Sequence, residues 1–225
     1  MNVWVIGASR GIGLELVERY LGRGDQVLAL VRTPNAALDA LAATAAGRLQ
    51  VMTGDLCDPQ LGARLLGESR DEPLDRLIVN AGIMGPTEEE GQRASAAALG
   101  VLFLTNAVAP LRLLEALAPR MAAAAVAACL SSQMGSVSLA RAAEMPLYGA
   151  SKAALNSLLQ SWVAGQRPAF AVLALHPGWV RTALGGSGAP VEVADSVAGL
   201  VATIEARAGT QGCAFLDYQG QGLPW

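Results

Sequence analysis

The sequence predicts an α/β protein: a single doubly wound domain with a seven-stranded parallel sheet in the order 3-2-1-4-5-6-7 and helices on both faces. Three observations carry that expectation. Short β-rich apolar runs alternate with helical stretches along all 225 residues. Most of the runs are apolar throughout rather than alternating, as strands buried on both faces are. Strand–helix–strand units in one sheet close by right-handed crossovers, which leaves a doubly wound arrangement. The length suffices for one such domain with a substantial core and is short for two.

The expected strands are 3–6, 26–31, 49–53, 77–80, 126–131, 170–176 and 213–217, and the expected helices lie near 11–22, 36–46, 59–68, 93–119, 146–165 and 191–206. The strand order is the one expected of a dinucleotide binder. No internal repeat and no linker-like tract interrupts the alternation, so 1–225 reads as one domain.

Composition narrows the function classes. Apolar residues make up 52% and charged residues 16%, which excludes disorder. A net charge of −3 offers no general attraction for nucleic acid or an anionic membrane, and 4% aromatics are too few for a base-stacking platform. Cys57, Cys129 and Cys213 have no ligand spacing, and His176 is the single histidine, so no metal is expected and the cysteines read as reduced and cytoplasmic. Met1 leads directly into Val3-Trp4-Val5-Ile6 without a basic leader. The longest apolar run, 121–130, is about half the ~20 residues that span a bilayer, so no membrane partner is expected.

The first strand ends in Gly7-Ala8-Ser9-Arg10-Gly11-Ile12-Gly13, and a helix follows. Glycine is needed where a turn is tight and a diphosphate must approach both the backbone and the positive end of a helix. Tyr148 and Lys152 stand one helical turn apart on one face, with Pro146 suited to the first turn. A free tyrosine has a pKa near 10, and a neighbouring ammonium lowers it, so Lys152 is expected to tune Tyr148.

The glycine spacing G-x-x-x-G-x-G resembles that of the short-chain dehydrogenase/reductase family. Four further landmarks stand where the family has them: Asp55-Leu56, Asn80-Ala81-Gly82, Tyr148-x-x-x-Lys152, and Pro177-Gly178 with Val180 and Thr182. The resemblance covers residues 3 to about 182. It implies a hydride transfer between a nicotinamide dinucleotide and a carbonyl or alcohol. Asp55 and Leu56 would then meet the adenine. Tyr148 would be general acid in reduction and base in oxidation, and Lys152 would also hold the ribose hydroxyls. Ser131 and Ser132 both end the fifth strand, and only Ser132, with Gly135, matches the family's S-x-x-G, so Ser132 is the implied partner of the substrate oxygen. Asn106, in Asn106-x-x-x-Pro110, would interrupt a long helix and anchor a proton-relay water, or serve as a local cap. His176 reads as a strand-end residue.

The choice of dinucleotide rests on charge. An NAD site usually places a carboxylate at the end of the second strand, whereas here Val31 is followed by Arg32, and Arg10 lies in the glycine turn. Guanidinium groups favour a 2′-phosphate, so NADP(H) is expected. The stretch His176 to Thr182 with Gly185-Gly186, and the segment Phe215-Leu216-Asp217-Tyr218 leading to Leu223-Pro224-Trp225, look like the C-factor and Sniffer-type carbonyl reductases. The expected partner is a small-molecule carbonyl or alcohol, met by walls that include Met84, Met134, Leu147, Trp179 and Leu184. The rival reading is a cofactor-binding signalling protein whose oxidoreductase activity is incidental. A symmetric homodimer is expected through the helices 93–119 and 146–165, with Leu155, Leu158, Leu159 and Trp162 on the second.

Overall fold

A computed structural model describes residues 1–69, 71–86 and 94–225. β1 (Asn2–Ile6) sends Val3 and Val5 to one face and Trp4 and Ile6 to the other, and all four are buried. That pattern makes a strand interior on both sides. Six more strands follow: β2 (Gln26–Val31), β3 (Leu49–Thr53), β4 (Leu74–Val79), β5 (Met121–Leu130), β6 (Ala171–His176) and β7 (Gly212–Asp217). They pair in parallel in the order β3-β2-β1-β4-β5-β6-β7, as the sequence predicts.

One face carries α1 (Gly11–Gly22), α2 (Ala36–Thr44) and, later in the chain, α7 (Val193–Glu205). Leu16, Leu38 and Leu200 from these helices join Val3 and Val5 in a single core. The other face carries α3 (Leu61–Glu68), α4 (Ala96–Phe103), α5 (Ala109–Leu117) and α6 (Pro146–Gln166), with Leu65, Leu114 and Leu159 packed beneath Trp4 and Ile6. The chain leaves β1 toward one face and β4 toward the other. A crevice therefore opens at the carboxyl ends of these two neighbouring strands.

Two strands begin earlier than expected. β4 starts at Leu74 rather than 77, and β5 at Met121 rather than 126, with a register irregularity between Leu74 and Arg76. Charge hid the start of β4. Asp75 accepts the Asn2 N–H at 2.7 Å, and the buried Arg76 grips Glu205 with Nε at 3.1 Å and Nη2 at 2.7 Å.

The helix expected over 93–119 begins, among the described residues, at Ala96, where Ser95 Oγ accepts the Ala98 N–H at 3.2 Å. It is not one α-helix. Leu104–Val108 forms a π-helical turn in which the Ala109 N–H donates to Leu104 O. Pro110 accounts for the change, since it has no N–H and its ring would clash with the carbonyl of residue 106 in a regular helix. The whole rod, Ala96–Arg120, has 25 residues and is long and apolar enough to cross a bilayer by those measures alone. Its apolar stripe is already covered: Leu102, Ala107, Leu113, Leu114 and Leu117 are buried in this domain.

The residues expected at a dimer face are committed to the core of this domain. Leu155 and Leu159 are 1% and 0% exposed, and Leu158 and Trp162 pack against the same core, so this stripe covers the chain's own sheet. Exposed apolar surface on that side belongs instead to Val101 and Val108.

The Arg76–Glu205 pair joins β4 to α7, and Tyr20 adds its hydroxyl to Glu205 at 3.3 Å. Burial raises the Glu205 pKa, but hydrogen bonds and charge from Arg76, helped by Arg23, outweigh it and hold the carboxyl below its usual value. Arg76→Met is expected to lower unfolding free energy in urea by roughly 3 kcal/mol, the lower end of the range for a buried charge left unpaired, because Glu205 keeps some exposure. A carboxyl with a depressed pKa contributes stability above its unfolded value and loses it as pH falls through the folded one. Acid titration of stability below about pH 4.5 should therefore be steeper in the parent than in Arg76→Met.

Candidate active site

The glycine turn lies at the crevice. Gly7 adopts φ +89°, and its N–H and that of Ala8 donate to Leu30 O at 2.9 and 3.1 Å, fastening the turn to β2. A Cβ on Gly7 would stand 2.7 Å from the Ala81 nitrogen, and one on Gly13 would stand 2.1 Å from the Gly7 oxygen. Glycine is thus required by close packing at both positions. Asn80 Nδ2 donates to Gly7 O at 2.7 Å, so this side chain shapes the turn from across the crevice. Asn35 braces it from the other side: its amide donates to Ser9 O while its Oδ1 accepts the Ala37 N–H at 2.8 Å and caps α2. The sequence reasoning missed Asn35, although an asparagine just before a helix is a capping signal. At α1 itself, Arg10 is extended and provides no side-chain cap, so the first N–H groups of the helix stay open to a ligand.

From the turn runs a cleft of about 840 Å³. Among the sequence-predicted residues, Gly7, Ser9, Arg10, Gly11, Ile12, Arg32, Asp55, Leu56, Asn80, Ala81, Gly82 and Thr182 line it. Thr33, Cys57, Thr105 and Leu184 line it too, unforeseen except for Leu184, which was expected as a substrate wall. Arg10 and Arg32 are exposed, and neither has a carboxylate partner among the described residues. Gly13 lies under the turn. Pro177, Gly178 and Val180 stand behind the lining: Pro177 O accepts from Ser196 Oγ at 2.6 Å, Gly178 (φ +87°) abuts the Tyr218 ring, and Val180 bridges Val191.

The second group of residues comes from β5, the π turn and α6. Ser131 and Ser132 point to opposite sides, as successive extended residues must. Ser131 Oγ donates to Asn156 Oδ1 at 2.7 Å inside the core, whereas Ser132 Oγ accepts the Met134 N–H at 3.1 Å and reaches Tyr148. Tyr148 lies in the first turn of α6, which Pro146 opens. One turn on, the Lys152 ammonium sits 5.8 Å from the Tyr148 ring centre and donates to Leu130 O at 2.7 Å. A Cβ on Gly82 would lie 3.3 Å from both Lys152 Nζ and Asn106 Oδ1, which places these two groups together at the edge of the crevice. Asn106 is fully buried in the π turn. Its Oδ1 accepts the Ile83 N–H at 2.9 Å, and its Nδ2 donates to Ile83 O at 2.8 Å and Ser151 Oγ at 2.9 Å.

Electrostatics correct one expectation. Burial pushes the Tyr148 phenol up to about 12, above its ordinary value rather than below it, with a hydrogen bond involving Ser132 acting the other way. The ammonium is itself pushed down to about 8 by burial, opposed by Cys129. Burial likewise drives His176 down to about 4, so this histidine is neutral at pH 7, and its Nδ1 has no hydrogen-bond partner among the described residues. It ends β6 opposite Asp217.

Taken together, the site can hold an extended anionic dinucleotide along the bare turn, and a protonated phenol stands beside a buried ammonium. Known proteins agree with that architecture. The chain is 51% identical to a carbonyl reductase from Pseudomonas aeruginosa PAO1 solved in complex with NADP, with a TM-score of 0.93 over 100% of this chain and 99% of that one. The carbonyl reductase Sniffer of D. melanogaster superposes with a TM-score of 0.86 at 29% identity, covering 100% of this chain and 99% of that one. Among curated proteins, the C-signal of Myxococcus xanthus is 37% identical over 156 residues, 68% of this chain and 93% of that protein. Residues 1–190 match the family model described as short chain dehydrogenase, and the chain belongs to that family.

Proposed function

We propose that the chain is an NADP(H)-dependent carbonyl reductase in which Tyr148 gives the proton. The observation that carries this reading is the meeting of Ser132, Tyr148 and Lys152 beside a cleft whose turn is bare. A Cβ on Gly11 would close on the Thr182 side chain at 3.3 Å, so side chains there would narrow the space a diphosphate needs. The residues fit a dinucleotide. Gly7, Ser9, Gly11, Ile12 and the open end of α1 would hold the diphosphate, Arg10 and Arg32 the 2′-phosphate, and Asp55 and Leu56 the adenine. Asn80, Ala81 and Gly82 would flank its middle, Tyr148 and Lys152 the nicotinamide ribose, and Thr182 with the 177–180 turn the nicotinamide end. Bound NADPH supplies the hydride.

The chain's own residues supply the rest. With its pKa near 12, Tyr148 is protonated at neutral pH, the form that a donor to a reduced carbonyl needs. Ser132 would hold the substrate oxygen and steady the charge that develops on it. Lys152, with a pKa near 8, is largely charged at pH 7, and its field would stabilise the phenolate left behind. Asn106 would keep the π turn in place beside Lys152. The Pseudomonas carbonyl reductase with NADP supports both the cofactor and the reaction type. The relative named C-signal supports a second reading, a dinucleotide-binding protein with a signalling output.

Tyr148→Phe keeps the ring but removes the proton, so turnover should fall by about 10²–10⁴ while NADPH still binds. Steady-state rates on a panel of aldehydes, ketones and quinones check this, and undiminished turnover would defeat the assignment. Ser132→Ala should slow turnover without weakening NADPH. Ser131→Ala should leave turnover alone and instead cost about 1–3 kcal/mol of stability, since it strands the buried Asn156 oxygen. A Tyr148→Phe protein that keeps a full biological output would move the function to the signalling reading.

Cofactor choice is a separate test. NADPH should bind at least about tenfold tighter than NADH, or about 1.4 kcal/mol, and Arg10→Ala or Arg32→Ala should each narrow the gap. Fluorescence titration of both nucleotides measures it, and equal affinities would contradict the assignment.

A further inference from the structure

We propose that Trp225 is a positioning residue for the reaction: its main-chain oxygen clamps the segment that runs from Ser132 to the first turn of α6. The proposal rests on the reductase reading above. After β7 the chain turns back sharply. Asp217 Oδ1 accepts the N–H groups of Gln219 and Gln221, both at 2.9 Å, and Gly220 supplies the positive φ. The returning strand then pairs with β7, through a Leu216–Gly222 bridge and the Leu223 N–H on Phe215 O at 2.8 Å. That pairing delivers Trp225 to a fixed place, with its ring 5.5 Å from the Phe215 ring and packed on the core.

There the Trp225 oxygen accepts from Ser138 twice, from Oγ at 2.7 Å and from N–H at 3.1 Å, with Ser136 Oγ at 3.5 Å. A hydrogen bond at 2.7 Å is a strong one, and two from one residue fix orientation as well as distance. The middle of the clamped segment has little burial of its own to hold it, since Val137 is 78% exposed and Ser138 and Ala140 are exposed too, whereas Ser132, Gly135 and Ser136 are buried. On its inner side it presses directly on the catalytic turn. A Cβ on Gly135 would meet the Lys152 backbone at 2.8 Å, and one on Gly149 would meet Ala142 Cβ at 2.4 Å and Met134 O at 2.9 Å. The segment is thus wedged between α6 and the strand that returns from β7. Movement at Ser138 passes to Gly135 and so to the turn that begins at Ser132. Trp225 touches neither the dinucleotide cleft nor the phenol, and it acts through the loop on how the carbonyl is received.

The test separates positioning from mere folding. Ser138→Ala and Trp225→Ala should each raise KM for an aromatic aldehyde at saturating NADPH by about three- to tenfold, the factor one hydrogen bond is worth. NADPH affinity should stay within about twofold, and Ser138→Thr and Trp225→Phe should restore KM. The double variant should be no worse than the poorer single, because both residues serve one clamp. Hydrogen exchange across 133–145, measured with NADPH present, should quicken in Trp225→Ala while β1 and β4 keep their protection. Unchanged KM in both alanine variants would overturn the kinetic role, and unchanged exchange would overturn the clamp. A parent protein that binds NADPH but reduces no carbonyl would sink the reductase reading and the kinetic role with it, whereas faster exchange in Trp225→Ala would still uphold the clamp.

Discussion

The hydrogen bond from the Asn80 amide to the Gly7 carbonyl joins the two halves of the sheet where they part. Up to Ile6 and Val79, β1 and β4 hold each other through their ladder; beyond it they leave toward opposite faces. The N–H groups of Asn80 and Ala81 still reach Ile6 O, and the side chain of Asn80 carries the connection one step further. The arrangement works only because Gly13 has no side chain, since a Cβ there would lie 2.7 Å from the Asn80 amide nitrogen. Two residues past Asn80, Gly82 lies against Lys152 and Asn106. The glycine turn and the Lys152–Asn106 pair are therefore positioned from a common point.

Burial sets the protonation of the second group. The Lys152 ammonium is satisfied by the Leu130 carbonyl and not by a carboxylate, and its neighbour Cys129 is a thiol that burial pushes up to about 12. A cation held this way is destabilised relative to water, which is why its pKa sits near 8. The same dry surroundings keep the Tyr148 phenol protonated. A bound anionic ligand would change both, because it brings charge into a place where the chain has little of its own.

Much of this was legible in the sequence because it depends on local rules. The doubly wound class follows from apolar runs and right-handed crossovers, the strand order from the arrangement expected of a dinucleotide binder, and the glycine turn from the tight strand-to-helix turn it must make. The orientation of Ser132 against Ser131 follows from the alternation of extended backbone. What the sequence hid involves partners far along the chain. Asp75 and Arg76 look like loop residues until Glu205, 129 positions from Arg76, arrives to neutralise the guanidinium. Leu155 and Leu159 make a face that would suit a dimer or the chain's own sheet, and only packing decides between them. The phenol's pKa could not be read from Lys152 alone, because desolvation is a property of the whole surroundings.

The π turn at Leu104–Val108 makes chain length itself a constraint. The wider turn takes up one residue in excess of the α-helical count. The apolar positions of α5 therefore fall one residue, about 100° of winding, later in sequence than in one continuous α-helix, while α4 and α5 both keep their apolar faces buried. Removing a single residue between Leu104 and Val108 would relax the turn to ordinary α geometry and leave Leu113 and Leu117 on the sheet, because the wide turn only takes up the extra residue. It would nonetheless withdraw Asn106 from Ile83. The packing of the rod can therefore absorb a change of one residue at this turn, whereas the pairing of Asn106 with Ile83 cannot, and it is that pairing which fixes the length here.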